Sequence, residues 1–382
     1  MPFIFDQPNS SPQEQTPTNE PGHDVRKLIQ LIKYPQPGSF MLAAHRGYRY
    51  GGVPENSKAA LRKAAEAGFV CVEIDIRLTA DKVPVLFRDT HLGRVTNIAE
   101  HMARTDIWSP FTGKGYNPKL SDTPWHGVME HLKVKEEHGH IVEEGVLTYE
   151  AMLDFIKEEG LNLVLFLDIK DKAALPIMYE ITKTRTSASG VPAIEWAVWK
   201  LPISMYSSPE DLEKEEWWQD AMVHGKPAYI PVFRPASAAK LKNALETCKA
   251  WAHRPYTLGL EIGCRNPNGP LRDMLDWAVS PECPINSIGF YSTQGDLWEW
   301  DGKEIMYDTG DFEIPWKLEE QESKFIFTYN DVPKKCDDCL LDGESPDGHD
   351  HRHKLELYKS LGYTWTTADN GEELRAKGII SM

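Results

Sequence analysis

Short apolar runs recur along the chain, separated by polar or amphipathic stretches. Nine of them have the length and the β-branched or aromatic content of strands: Phe40–Ala44, Val70–Ile76, Leu161–Ile169, Trp196–Ile203, Tyr229–Phe233, Thr257–Ile262, Ser287–Tyr291, Phe325–Tyr329 and Tyr363–Thr366. Between several of them the spacing turns helical. Asn56–Ala67 opens on Asn and Ser, has an Ala-rich body and stops at Gly68. Thr148–Glu159 places Tyr149, Met152, Leu153 and Ile156 on one face, with Thr148 at the cap and Gly160 after the end. A short amphipathic helix is expected over Asp24–Tyr34. Strands alternating with helices predict parallel βα units and a (β/α)8 TIM barrel. Nine runs for eight strands means that one run is an excursion, and no internal repeat is present.

Three stretches fall outside that alternation. Residues 1–24 are rich in Pro, Gln, Ser and Asn and are expected to form a disordered tail. The remainder, 25–382, reads as a single barrel domain with insertions near 96–145 and 293–324. The first insertion is polar and carries Trp and Pro; the second is acidic and aromatic, with Trp298, Trp300 and Trp316. Both are expected on the side where βα loops build lids and pockets. An apolar lid suits a lipid-like substrate, and a folded-back edge of the core is the plainer account of the same residues.

Composition narrows the function. A formal net charge of −16 over 382 residues disfavours nucleic acid and anionic membrane surfaces as partners, since both would repel the chain. No stretch is apolar enough to span a bilayer, and the first residues lack a basic start and a signal-length apolar run. The six cysteines form no dense framework, and Cys71 and Cys264 lie in strand-like patterns as small core residues. A cytoplasmic location is the expectation.

The chemistry gathers at the ends of apolar runs. The first ends in His45-Arg46-Gly47, the second carries Glu73-Ile74-Asp75, and the third ends in Asp168-Ile169-Lys170. The C-terminal ends of barrel strands are where active sites sit. Glu73 and Asp75 are two apart, so their side chains share one face of the strand. Paired carboxylates repel unless protonated or bound to a cation. Mg²⁺ or Ca²⁺ resolves the repulsion with oxygen ligands, and Asp168 on the next strand is a candidate third ligand. Arg46 and Lys170 can clamp a phosphate beside the metal. Each motif alone is more often a solvated face or a surface ion pair; their agreement along three strands points to a site.

The run from Ala44 to Asn97 resembles the start of glycerophosphodiester phosphodiesterases. The resemblance rests on His-Arg-Gly at 45–47, Pro-Glu-Asn at 54–56, Glu-x-Asp at 73–75, the Thr-x-Asp hairpin at 79–81, Pro-Val at 84–85 and Asp-x-x-Leu-x-Arg-x-Thr at 89–96. Leu147-Thr148, Leu-Asp-Ile-Lys at 167–170 and Tyr-Thr-Trp-Thr at 363–366 extend it. The resemblance implies a metal-dependent phosphodiesterase of the PLC-like barrel superfamily acting on a small phosphorylated or lipid-like substrate. It implies His45 as one of two acid/base histidines, metal on Glu73, Asp75 and Asp168, phosphate on Arg46 and Lys170, and Trp365 lining the pocket. Glu55 can approach the metal or a substrate hydroxyl; for Asn56, helix capping is as good an account.

Two departures stand out. The third ligand is usually Glu in that family and is Asp168 here, in an Asp-x-Lys that looks like sphingomyelinase D-type phospholipases. Where the family has His-Asp, this chain has Arg88-Asp89. Arginine stays protonated and cannot shuttle protons, although it binds phosphate strongly. His91, three positions on, is a candidate replacement, and a surface histidine is its plainer reading. Arg88 therefore keeps open a non-hydrolytic reaction in which diphosphate or a cyclic phosphate leaves, or a phosphate-binding homologue without catalysis.

Secondary signals remain. Cys336 and Cys339 with His349, His351 and His353 have part of a zinc spacing, although an acidic loop with incidental histidines explains them as well. Lys200 and Glu261 sit within strand patterns, where either can point into the barrel and extend the polar pocket; a satisfied interior ion pair is as plain an account of each.

Overall fold

The computed structural model describes residues 25–49, 51–108, 114–136, 139–292, 352, 354–368, 371–376 and 378, and the backbone of 304–308, 313–317, 326–329 and 332–335. The expected tail at 1–24, Trp298, Trp300, Cys336, Cys339, His349, His351 and His353 lie outside the described residues, as does the side chain of Trp316.

Eight parallel strands close into a barrel: β1 (Met41–His45), β2 (Cys71–Leu78), β6 (Val164–Ile169), β7 (Ala197–Pro202), β8 (Tyr229–Phe233), β9 (Leu260–Ile262), β10 (Ile288–Tyr291) and β15 (Trp365–Ala368). The circle shuts where β1 pairs with both β15 and β2, at Met41↔Trp365 and His45↔Glu73. Strands such as β2 and β6 are buried almost throughout, because helices cover the outside and side chains fill the inside. This is the (β/α)8 barrel that the alternation predicts.

The inward side chains pack in layers. Trp365 is fully buried, edge-on to Phe166 at 5.0 Å. Its strand neighbour in register is Gly289, where a Cβ would lie 2.0 Å from the indole ring. The missing side chain at 289 is what makes room for the tryptophan. Gly289 is paired in turn with Glu261, so these positions share the inward face.

Of the nine apolar runs, Phe325–Tyr329 is the one outside the barrel. It supplies β13 (Ile326–Tyr329), antiparallel to β14 (Val332–Lys335), with Tyr329 opposite Val332. Only Asn330 and Asp331 separate the partners, and so short a connection permits a hairpin but no parallel crossover. The same long excursion holds the hairpin β11 (Glu304–Asp308) with β12 (Glu313–Lys317). After β2, a short antiparallel strand β3 (Pro84–Leu86) folds back through a turn in which Thr79 Oγ1 donates to Asp81 Oδ1 at 2.6 Å. The stretch beyond it builds its own apolar cluster, including Phe87, Leu92, Ile98, Leu120, Met129 and Leu132. It also carries the antiparallel pair β4 (Lys133–Lys135) and β5 (Ile141–Gly145).

Helix α1 spans Val25–Lys33. The Ala-rich helix, α2, spans Lys58–Glu66, two residues later than its apparent start. Its cap is Ser57, which accepts from Ala60 N at 3.0 Å. Asn56 is therefore not the cap; it lies in the left-handed region at φ 52°. The other amphipathic helix, α3 (Tyr149–Glu158), starts on Thr148 as expected.

The loop between β1 and α2 is locked from beneath by charge. Glu55 is buried and receives Arg46 Nη1 at 3.0 Å and Arg94 Nη2 at 2.6 Å, and Arg94 also grips Asp89 at 2.6 Å. Burial pushes the Glu55 carboxyl up, but Arg46, Arg94 and Arg49 outweigh it and bring its pKa to about 2. Gly47, at φ 78°, completes the turn, and a Cβ there would meet Ala60 Cβ at 2.8 Å.

Gly289→Ala is expected to destabilise the protein by about 3 kcal/mol or more in urea unfolding, with part recovered when Trp365→Phe is added. Glu55→Gln should cost roughly 3 kcal/mol near neutral pH. Because the folded pKa of Glu55 lies below its ordinary value, this stability is present above pH ~4.5 and fades as pH falls towards ~2. The gap between wild type and Glu55→Gln in urea midpoint should therefore be full at pH 7 and shrink by pH 3.

Candidate active site

Eight parallel strands put all their C-terminal ends at one mouth, and the chemistry-bearing residues meet there. His45 ends β1, and Glu73 and Asp75 lie on the inward face of β2. Donor atoms of His45, Glu73 and Asp75 all lie within 4.8 Å of one another, and all three residues are buried. His45 Nε2 is 3.9 Å from Glu73 Oε2. Asp168 on β6 is the register partner of Asp75. It is drawn towards Lys170, whose Nζ stands 2.8 Å from Asp168 Oδ2 and 2.9 Å from Asp75 Oδ1.

Asp75 is the hub. Besides Lys170 it faces Arg46 Nε at 3.3 Å and Arg88 Nε at 3.6 Å. Asn56 donates to its carboxylate at 3.4 Å and accepts its backbone N–H at 3.3 Å. Asn56 thus belongs to the site and not to the helix cap. Burial raises the carboxyl's pKa, yet Lys170, Arg46 and Arg88 together hold it well below the usual range. Asp168 behaves alike: burial is outweighed by Lys170, Lys200 and Arg234. Glu73 goes the other way, pushed up by burial and then by Asp75. The backbone N–H of Arg46 donates to Glu73 at 3.3 Å.

The remaining sequence-predicted residues are distributed around this cluster. Arg46 is fully buried between Glu55 and Asp75. Arg88 reaches the mouth from just after β3 and is partly exposed. His91 faces Thr90, its Nδ1 2.8 Å from the hydroxyl, and bridges to Lys119; burial and Lys119 press its pKa down. Trp365 lies deeper, in the packed barrel interior. Lys200 and Glu261 form an interior ion pair at 3.0 Å. Burial works against the Lys200 charge, but Glu261, Glu73 and Asp168 more than restore it. Two residues at the mouth escaped sequence reading. Arg234 follows Phe233 at the end of β8 and places Nη2 3.8 Å from Asp168 Oδ2. Tyr291 ends β10 and meets the His45 ring edge-on at 5.0 Å. The signal that found His45 and Lys170, a polar residue closing an apolar strand, also marks Arg234.

The donor set suits a divalent cation. Two carboxylates from one strand are aimed together, desolvated, with an imidazole alongside. Their mutual repulsion is what a bound cation would relieve. No helix among the described residues is long and apolar enough to cross a membrane.

Comparison with known proteins agrees with this arrangement. Residues 45–210 match the model of the Glycerophosphoryl diester phosphodiesterase family. The human glycerophosphoinositol inositolphosphodiesterase GDPD2 is 45% identical over 65 residues, which are 17% of this chain and 11% of that protein. Glycerophosphodiester phosphodiesterase 1 of Bos taurus is 46% identical over 72 residues, 19% of this chain and 21% of that protein. The chain thus matches only a minor part of these relatives' length. A crystal structure from Silicibacter pomeroyi DSS-3, assigned as a glycerophosphoryl diester phosphodiesterase, superposes with a TM-score of 0.53 at 13% identity, covering 93% of this chain and 98% of that one, and bears on the fold alone. With its motifs gathered at the mouth of the barrel, the segment 45–210 is similar to the glycerophosphoryl diester phosphodiesterase family.

Proposed function

We propose that the protein is a metal-dependent phosphodiesterase that cleaves a glycerophosphodiester at the barrel mouth. The observation that carries this reading is the buried cluster of Glu73, Asp75 and His45 inside the family-matched segment. Glu73 and Asp75, with Asp168 beside them, would hold Mg²⁺ or Ca²⁺; as a Lewis acid such an ion neutralises phosphate charge. Lys170 and Arg88 stand over these carboxylates and are suited to bind the phosphate oxygens. Arg46, buried between Glu55 and Asp75, fixes the direction of the Asp75 carboxylate. His45 Nε2, directed towards the cluster, takes or gives the proton of the reacting oxygen. Asn56 and Tyr291 hold Asp75 and His45 in place. The described cysteines Cys71, Cys248, Cys264 and Cys283 are buried as small core residues, in keeping with the cytoplasmic location proposed here.

A second reading keeps the same site and changes the outcome. Arg88, 3.6 Å from Asp75, occupies the position where relatives are expected to carry a second histidine. It supplies positive charge and no transferable proton. A substrate hydroxyl attacking internally, with a cyclic phosphate formed, or a leaving diphosphate needs less acid catalysis. His91 would serve as the second acid/base group only by leaving its contact with Thr90.

Chelation of divalent ions should abolish turnover of glycerophosphodiesters, and added Mg²⁺ or Ca²⁺ should restore it. His45→Ala should lower kcat by ~10²–10⁴ with the fold unchanged by circular dichroism. Turnover that survives chelation, or His45→Ala at wild-type rate, contradicts the reading. Phosphorus NMR of the products separates the two chemistries: an acyclic phosphomonoester is expected of hydrolysis, and an accumulating cyclic phosphate or released diphosphate assigns the second reading.

A further inference from the structure

Among the described residues, three cations besides the buried Arg46 meet the carboxylates of the mouth, and each comes from a different strand end. Lys170 follows β6, Arg88 follows β3, and Arg234 follows β8. Lys170 touches Asp75 and Asp168, Arg88 touches Asp75, and Arg234 touches Asp168. Beneath them Arg46, Arg49 and Arg94 serve Glu55 and Asp89, Arg46 also reaches Asp75, and Lys200 serves Glu261. Charge balance among these described residues then bears on the ligand. Glu55, Glu73, Asp75, Asp89 and Asp168 face Arg46, Arg49, Arg94, Lys170, Arg88 and Arg234, so the carboxylates do not outnumber the cations. A divalent ion bound to the carboxylates would add two positive charges, and a phosphodiester brings one negative charge. Positive charge is then left over for a second anion.

Arg234 is the cation placed for that task. Its side chain is 58% exposed, against 15% for Lys170 and 19% for Arg88, so it stands at the rim while the other two sit over the floor. It pairs with Asp168 at the long distance of 3.8 Å. A guanidinium at the rim meets the part of the substrate that projects outward from the phosphate, which is one of its two alcohols. In a chain of net charge −16, a cationic rim opposes the sign of the molecule as a whole.

We propose that Arg234 is a specificity residue that selects phosphodiesters carrying a second anionic group on the outward alcohol, and that it disfavours a cationic alcohol such as choline. This rests on the phosphodiesterase reading of the same site. The second anion is a phosphomonoester on that alcohol or the neighbouring phosphate of a diphosphate; the chemistry that Arg234 recognises is the same, a bidentate phosphate.

The test compares kcat/KM for three diesters on the full chain with Mg²⁺: glycerophosphocholine, glycerophosphoglycerol and glycerophosphoglycerol phosphate. The expected order rises from the cationic to the neutral to the anionic alcohol. Arg234→Ala should lower the ratio of anionic to neutral substrate by ~10-fold or more, the size of one lost charge-assisted contact. Arg234→Glu should move the preference towards the choline diester, and Arg234→Lys should restore part of the original ratio. A wild-type enzyme that treats the three substrates alike, or a ratio unmoved by Arg234→Ala and Arg234→Glu, overturns the proposal. A parallel calorimetric titration of the metal-loaded protein with pyrophosphate and orthophosphate reads the same residue without turnover and separates a diphosphate source from an alcohol phosphate. Tighter pyrophosphate binding that Arg234→Ala brings down to the orthophosphate level supports the proposal. Should none of the three diesters be cleaved, the phosphodiesterase reading fails, and this titration still decides on Arg234: equal affinities, or a pyrophosphate preference that survives Arg234→Ala, sinks it.

Discussion

A single buried carboxylate organises the mouth of this barrel. Asp75 sits on the inward face of β2 with Lys170, Arg46 and Arg88 around it and Asn56 joined to it by two hydrogen bonds. Burying a carboxylate without partners costs several kcal/mol, so this crowd of cations is a condition of its being there at all. The same cations tie the loops after β1, β3 and β6 to one point. Neutralising Asp75 would leave three positive groups clustered around a polar gap, which is why the site's geometry and its charge cannot be separated.

Behind that hub stands a second ring. Glu55 holds Arg46 and Arg94, and Arg94 holds Asp89 beside Arg88. The turn at Arg46 and Gly47, both at positive φ, is what lets the first-strand loop bring its guanidinium underneath the site. Still lower, Lys200 and Glu261 pair within the barrel, and Trp365 fills the interior over Gly289. The lower layers are held by ion pairs and apolar packing, and the chemistry that faces a ligand lies at the top.

Much of this was legible in the sequence because the determinants are local. Period-two spacing put Glu73 and Asp75 on one face, and polar residues closing apolar runs marked His45, Asp168 and Lys170 as mouth residues. The barrel followed from the alternation of runs. What escaped depended on three-dimensional closure. Asn56 looked like a cap because it precedes an Ala-rich helix, but its left-handed backbone turns its amide towards β2 and hands the cap to Ser57. Phe325–Tyr329 has the composition of a barrel strand, and only the short connection to Val332 reveals a hairpin. Lys200 and Glu261 needed coordinates to show that they find each other, since nothing in sequence links positions on strands two apart. Arg234 ended a recognised strand and was visible to the same rule, but a lone arginine draws no notice until Asp168 is seen next to it.

In the proposed reaction Glu73 and Asp75 would present their carboxylates to a divalent cation beside His45, with phosphate above. Anomalous diffraction from crystals soaked in Mn²⁺ and glycerol 3-phosphate tests it most directly. One strong manganese peak is expected among Glu73, Asp75 and His45, with the phosphate lying between that peak and Lys170 and Arg88. A mouth without manganese under saturating soak, or a phosphate bound away from these residues, would contradict it.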